Sequence, residues 1–349
     1  MFTLFKKHLY MISLLLFFVC IAASYLLVEV HQGHSDFFDP SRLGCLTVLQ
    51  FSLAASLMLL VWYLFNRQDK LFESPKSIKY CLWVAILTRV ILLPIDSYTS
   101  NDMSRYLFDG QIVLNGLDPY SVTHEEPTLQ EQRALWQPPL EHAKYVTIYP
   151  PVALALFAVS ATFGPESGPL FWKLLLALAS IGTLCLGYLM LKRANKLQHL
   201  PLLALSPLLI IEAGVGAHID TFSTLAVCAA LWAWQTNRAK LCGFFIGLGV
   251  LLKLAPLLLL GPLFFAFSAS RVKSGASDSK KTEGINGWPH HPLLSGFKMA
   301  VSAVITVSSV YLATVLSGYQ AIGSLQVFFQ KWRFGSPLFS YLESFLSAP

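Results

Sequence analysis

LGCLTVLQFSLAASLMLLVWYLF, Leu43 to Phe65, is a run of 23 residues with no Asp, Glu, Lys, Arg or His. About 20 helical residues at about 1.5 Å each cover the ~30 Å hydrocarbon core of a bilayer, so this run reads as a membrane span. The pattern repeats on both sides of it. Apolar runs also occupy Leu9 to Val28, Tyr80 to Ile95, Tyr149 to Gly164, Leu170 to Leu191, Leu200 to Ala217, Thr221 to Trp234, Leu241 to Leu252, Ala255 to Ser268 and Phe297 to Leu316. Most show no amphipathic period, as befits helices covered on every face by lipid or by other helices. Across 349 residues, 55% are apolar and 13% charged, against roughly 25% charged in a soluble domain. A soluble enzyme is excluded. The expected fold is an all-α polytopic membrane protein of about nine to ten transmembrane or partly spanning helices, with residues 1–79 forming two N-terminal spans.

The six cysteines lie in or beside apolar runs without ligand spacing, and read as packing residues. The net charge of +6 does not point to nucleic acid, because most of the basic residues sit in short clusters between apolar runs. Bilayer orientation explains such clusters. They are Lys6 and Lys7; Arg67, Lys70, Lys76 and Lys79; Lys192, Arg193 and Lys196; Arg238 and Lys240; and Arg271, Lys273, Lys280 and Lys281. With all five cytoplasmic, the loop 96–148, the turn at His218 to Asp220, the turn at Lys253 and the segment after Leu316 are external. The parity then requires one incomplete crossing, and Tyr149 to Gly164, short and bounded by Pro, is the candidate re-entrant helix. Residues 269–295 read as a cytoplasmic linker rich in Ser, Gly and Lys. Leu9 to Val28 lacks a small-residue cleavage site and reads as a retained helix.

The 53-residue loop Asp96 to Ile148 carries eight acids against three bases, and loops of that length are usually functional. Within it, Asp102, Arg105, Tyr106 and Asp109 fall at i, i+3, i+4 and i+7, which is one face of a helix. The same spacing also suits a capping box at Thr99 to Asp102 with Arg105 paired to Asp102. Asn115-Gly116 and Asp118-Pro119-Tyr120 then end the helix in a turn. Glu212 is an acid at lipid depth, which is a functional candidate unless it is paired, here with Arg89 or Lys173. Lys253 breaks the 28-residue stretch Leu241 to Ser268. Its ammonium either binds a lipid phosphate or snorkels at a helical hairpin.

In order along the chain come Asn101-Asp102-x-x-Arg105-Tyr106-x-x-Asp109-Gly110, Asn115-Gly116-x-Asp118-Pro119-Tyr120, Thr147-Ile148-Tyr149-Pro150-Pro151, Gly216-Ala217-His218-Ile219-Asp220 and Lys253-x-x-Pro256. Together they resemble the bacterial GT-C glycosyltransferases of family 87, which include polyprenyl-phosphomannose-dependent mannosyltransferases. Trp332-Arg333-Phe334-Gly335-Ser336 is similar to a later Trp-x-Phe-Asn-Ser element, with Gly335 in place of Asn. The resemblance implies a GT-C-type helical bundle over residues 80–349, with short surface helices on the external loop. The end at Pro349 fits a chain truncated at its C-terminus relative to that family.

The resemblance further implies a hexose, mannose first, moved from a polyprenyl-phosphate donor to a lipid or glycan acceptor, with Asp102 as general base. The expected site then has Lys253, Arg105 and His218 on the donor phosphate. Asp109, Tyr106, Asp220, Tyr149 and Glu212 line the substrate. Several acids leave room for a divalent metal, yet no DxD is present and an obligatory metal is not favoured. The expected location is a bacterial inner membrane, with the site on the external or periplasmic side. The competing class is a polytopic transporter or lipid flippase, whose pathway Glu212, Asp220, Lys253 and Arg89 would line.

Overall fold

A computed structural model describes residues 2–67, 75–269 and 292–327. Among the described residues every regular element is helical and there is no strand. The chain runs through α1 (Phe2–His31), α2 (Leu43–Arg67), α3 (Pro75–Ile91), α4 (Asp102–Leu114), α5 (Gln130–Trp136), α6 (Pro151–Ala161) and α7 (Gly164–Arg193). It continues through α8 (Leu200–Ala204), α9 (Pro207–Ile211), α10 (Asp220–Gln235), α11 (Ala239–Val250), α12 (Leu260–Ala269) and α13 (Pro292–Leu316). Most of the linker 269–295 and the Trp332 to Ser336 element lie outside the described residues.

Among the described residues, three helical segments, Pro40–Tyr63, Gly164–Arg193 and Leu293–Leu316, are long and apolar enough to cross a bilayer. Only 17% of the first and 11% of the last is buried against protein, so their apolar faces are left for lipid. The protein is an integral membrane protein of the all-α polytopic class. Several other runs are partly spanning helices, divided or bounded by proline. Leu200 to Ala217, expected as one run, is instead Leu197–Ala204 and Pro207–Gly216, bent by 51°. Pro207 has no N–H to continue the first helix, and a π turn, Glu212–Gly216, closes the second. The run Tyr149 to Gly164 holds only the 11 residues of α6, roughly 16 Å of helix against a ~30 Å core.

Three apolar clusters organise the bundle. The first joins α1, α2, α3, the C-terminal half of α7, α8 and α9. A second joins α4, α6, the N-terminal half of α7 and the start of α10, and a third joins α10 to α13. In the second, α4 meets α6 backbone to backbone: a Cβ at Gly110 would fall on the Phe157 carbonyl. Two buried cations serve the scaffold. Arg89 donates through Nε to Ser180 Oγ at 2.7 Å and through Nη1 to Ala85 O at 2.7 Å. Lys173 Nζ donates to the Leu92 carbonyl at 2.9 Å and to that of Ile95, so it caps the frayed end of α3.

Candidate active site

Asp102 stands at the first position of α4. The capping box is not formed: the Asn101 side chain makes no cap bond, and the Asp102 N–H instead donates to Ser100 Oγ at 3.0 Å. Arg105 does not pair with Asp102. One turn on, Tyr106 donates its hydroxyl to Asp102 Oδ2 at 3.3 Å. The Tyr106 ring stacks on Phe157 at 4.6 Å and meets Tyr149 and Trp172 edge-on at 5.0 and 5.7 Å. Burial, and then the nearby Tyr149 and Asp102, push its phenol well above the ordinary value, so Tyr106 stays a donor and holds the carboxylate.

The facing wall is the turn between α9 and α10. Glu212 opens the π turn and points back at His218, whose Nδ1 lies 2.5 Å from Glu212 Oε2. Gly216 makes that pairing possible, because a Cβ there would sit 2.7 Å from the Glu212 oxygen and 3.1 Å from His218 Nδ1. Ala217 carries the turn at a φ of +53°, a region costly for a residue with a Cβ. Trp172 supports it by donating Nε1–H to the Ala217 carbonyl at 2.8 Å. His218 Nε2 then lies 3.8 Å from Asp102 Oδ2. Burial disfavours the charged imidazole, but the hydrogen bond it donates to Glu212 and the charges of Glu212, Asp102 and Asp220 prevail, so its pKa is raised above 6.5.

Two residues further, Asp220 opens α10, and Lys253 Nζ reaches its two oxygens at 2.7 and 2.6 Å. Lys253, expected to stand open for a phosphate, is thus ion-paired in this structure. Both partners are close to half exposed, at 45% and 49%, so the pair is weak and exchangeable. Glu212 pairs with His218, not with Arg89 or Lys173, whose bonds lie elsewhere.

Arg105 is 5% exposed, and its Nε and Nη2 are buried without a hydrogen-bond partner. Its positive charge reaches Tyr149. Asp109 is the residue the structure takes away from the expected set. It is 1% exposed, and its oxygens are occupied by His124 Nε2 at 2.6 Å and Thr147 Oγ1 at 2.7 Å. Helical spacing placed Asp109 on the face of Asp102, but partners 15 and 38 residues away in sequence claim it for packing. His124 and Trp172 were missed, and Thr147 was read only as part of a motif, for the same reason: no local pattern announces a partner that far along the chain.

The result is one cluster built from four separate stretches: Asp102 with Tyr106, Tyr149, Glu212 with His218 and Asp220, and Lys253. Asp102 is 38% exposed, so its carboxylate is open to a substrate while Tyr106 fixes its direction. Among the described residues, no group of three or more His, Cys, Asp or Glu side chains is placed to hold a metal ion. Such a cluster, a directed carboxylate beside imidazole and ammonium, can take a proton from a hydroxyl and balance charge on a departing phosphate. No curated protein and no solved structure matches the chain. Residues 11–269, which include every member of the cluster, match the MptA_B family model, described as alpha-(1->6)-mannopyranosyltransferase, N-terminal domain. Since that match spans well over half the sequence, the chain belongs to the MptA_B family of alpha-(1->6)-mannopyranosyltransferases.

Proposed function

We propose that the protein moves mannose from a polyprenyl-phosphate donor to a hydroxyl of a lipid or glycan acceptor, as a GT-C enzyme of the family-87 type. The reaction would run on the non-cytoplasmic face of a bacterial inner membrane, the side opposite the basic clusters. The observation that supports this reading best is the convergence of Asp102 with His218, Lys253 and Arg105, whose Nε and Nη2 have no hydrogen-bond partner. Asp102 takes the proton of the acceptor hydroxyl as its oxygen bonds to the anomeric carbon. The bond from that carbon to the phosphate oxygen breaks, and its electron pair leaves with the phosphate in a single inverting displacement. Arg105 and Lys253 receive the phosphate, Lys253 exchanging Asp220 for it, and the imidazolium of His218 adds positive charge. Asp220, Tyr149 and Glu212 orient these groups and the sugar hydroxyls. The reaction so written uses no metal ion.

The full chain in sealed proteoliposomes, with no ion gradient, tests the reading. Polyprenyl-phosphate mannose and an oligomannoside acceptor are expected to yield a product longer by one mannose, in the presence or absence of a chelator. Absence of any product, with labelled lipid crossing the bilayer instead, overturns it in favour of a transporter.

A further inference from the structure

A cavity of about 670 Å³ opens beside α4, between the C-terminal end of α1 and the segment that leads into α4. Its volume falls within the roughly 300–1,000 Å³ of small-molecule sites. The wall includes His31 and Gln32 from α1 and the turn after it, and Asp96, Asn101 and Ser104 from the loop and α4. Asn101 and Met103, both in the wall, flank the proposed base Asp102. The cavity and the base share one backbone turn, since Ser100, also in the wall, accepts the Asp102 N–H.

Hydrogen bonds fix the wall in place. Gln32 Nε2 donates to Asp96 Oδ2 at 2.8 Å and ties the end of α1 to the loop. Tyr98 anchors the floor through its hydroxyl to Ser24 Oγ at 3.0 Å and Gln50 Oε1 at 2.7 Å, within the α1–α2 hairpin.

The chemistry of the lining selects the ligand. It sets the Asp96 carboxylate, the Gln32 and Asn101 amides, serine hydroxyls and the His31 imidazole beside the apolar Met103 and Pro169, with no Lys or Arg. A phosphate would meet Asp96 and no permanent cation, and a prenyl chain would bury those polar groups without partners. A neutral polyhydroxyl ligand meets neither objection. We propose that this cavity is the acceptor subsite, where the end of α1 and the 96–104 segment hold a saccharide with its hydroxyl directed to Asp102. The proposal rests on the mannosyl-transfer reading above, and assigns the α1–α2 hairpin the task of shaping the acceptor pocket.

Asn101→Leu and Gln32→Leu test it. Asn101 is exposed and has no hydrogen-bond partner among the described residues, so its replacement leaves the scaffold intact, which a thermal melt checks. Each variant is expected to raise the acceptor KM about threefold to tenfold, the worth of one neutral hydrogen bond, with donor KM unchanged. Mannobiose binding to the purified protein, followed by saturation-transfer NMR, is expected to weaken in parallel, and to survive in Asp102→Asn. Transfer at an unaltered acceptor KM in both variants overturns the cavity assignment and leaves the reaction standing. Wild-type protein that binds mannobiose through Asn101 but transfers nothing overturns the reaction and leaves the cavity a saccharide site.

Discussion

Replacing Asp102 with Asn separates catalysis from structure at a single atom. The amide keeps the shape and an oxygen that can accept the Tyr106 hydroxyl, now at 3.3 Å, but it cannot hold a proton at neutral pH. Loss of a positioned general base costs about 10²- to 10⁴-fold, or roughly 2.7–5.4 kcal/mol of barrier at about 1.36 kcal/mol per tenfold. The folding cost is far smaller. Asp102 is 38% exposed, its approach to His218 is 3.8 Å, and ion pairs of that kind contribute about 1 kcal/mol or less. The expected outcome in proteoliposomes supplied with polyprenyl-phosphate mannose is therefore a collapse of kcat, retained donor binding and a near wild-type melting curve. Turnover within about threefold of wild type would refute the assignment of the base. Loss of activity together with loss of the folded state would mean that Asp102 serves the start of α4.

Three further perturbations probe the surroundings. Glu212→Gln removes the charge that raises the pKa of His218, so the imidazolium is lost at lower pH and the alkaline limb of the kcat/KM profile moves down; an unmoved limb contradicts the pairing. By linkage, the stability this histidine contributes is fully present below its unfolded pKa of about 6.5 and is lost as pH rises through the higher folded value. Gly110→Ala drives a Cβ into the Phe157 backbone and is expected to destabilise the protein by about 1–3 kcal/mol, seen as a lower melting temperature, with activity falling as α4 shifts. Asp109→Ala strands the hydrogen-bonding groups of His124 and Thr147 in a buried site and is expected to cost about 1–3 kcal/mol for each group left unsatisfied, read as loss of the folded fraction; a variant that folds normally but binds sugar poorly would return Asp109 to the substrate.

The membrane class was legible from the first apolar run, because burying backbone in lipid demands long helices of apolar residues and nothing else in the chain competes with that demand. That Tyr106 shares a face with Asp102 was also legible, since i and i+4 meet on any helix, although the pairing expected for Asp102 was with Arg105. Glu212 with His218 was half legible: six residues apart, they meet only because Gly216 leaves room between them. The helix that carries Asp102 through Asp109 could be read from the sequence; the fate of Asp109 could not.

Sequence alone therefore determined the solvent of this protein, the helical class and the short roster of charged residues worth suspecting, for composition and period are local properties. Tertiary structure decided which of them meet. Asp220 and Lys253 are 33 residues apart and pair at 2.6 Å, while Asp109 is drawn to His124 and Thr147 and leaves the site. It also decided that the end of α1 lies against the segment before Asp102 and lines an open cavity of mixed polar and apolar character. Such encounters depend on how helices cross and where prolines bend them, and the energies that settle them come from burial and long-range hydrogen bonds that no window of sequence contains.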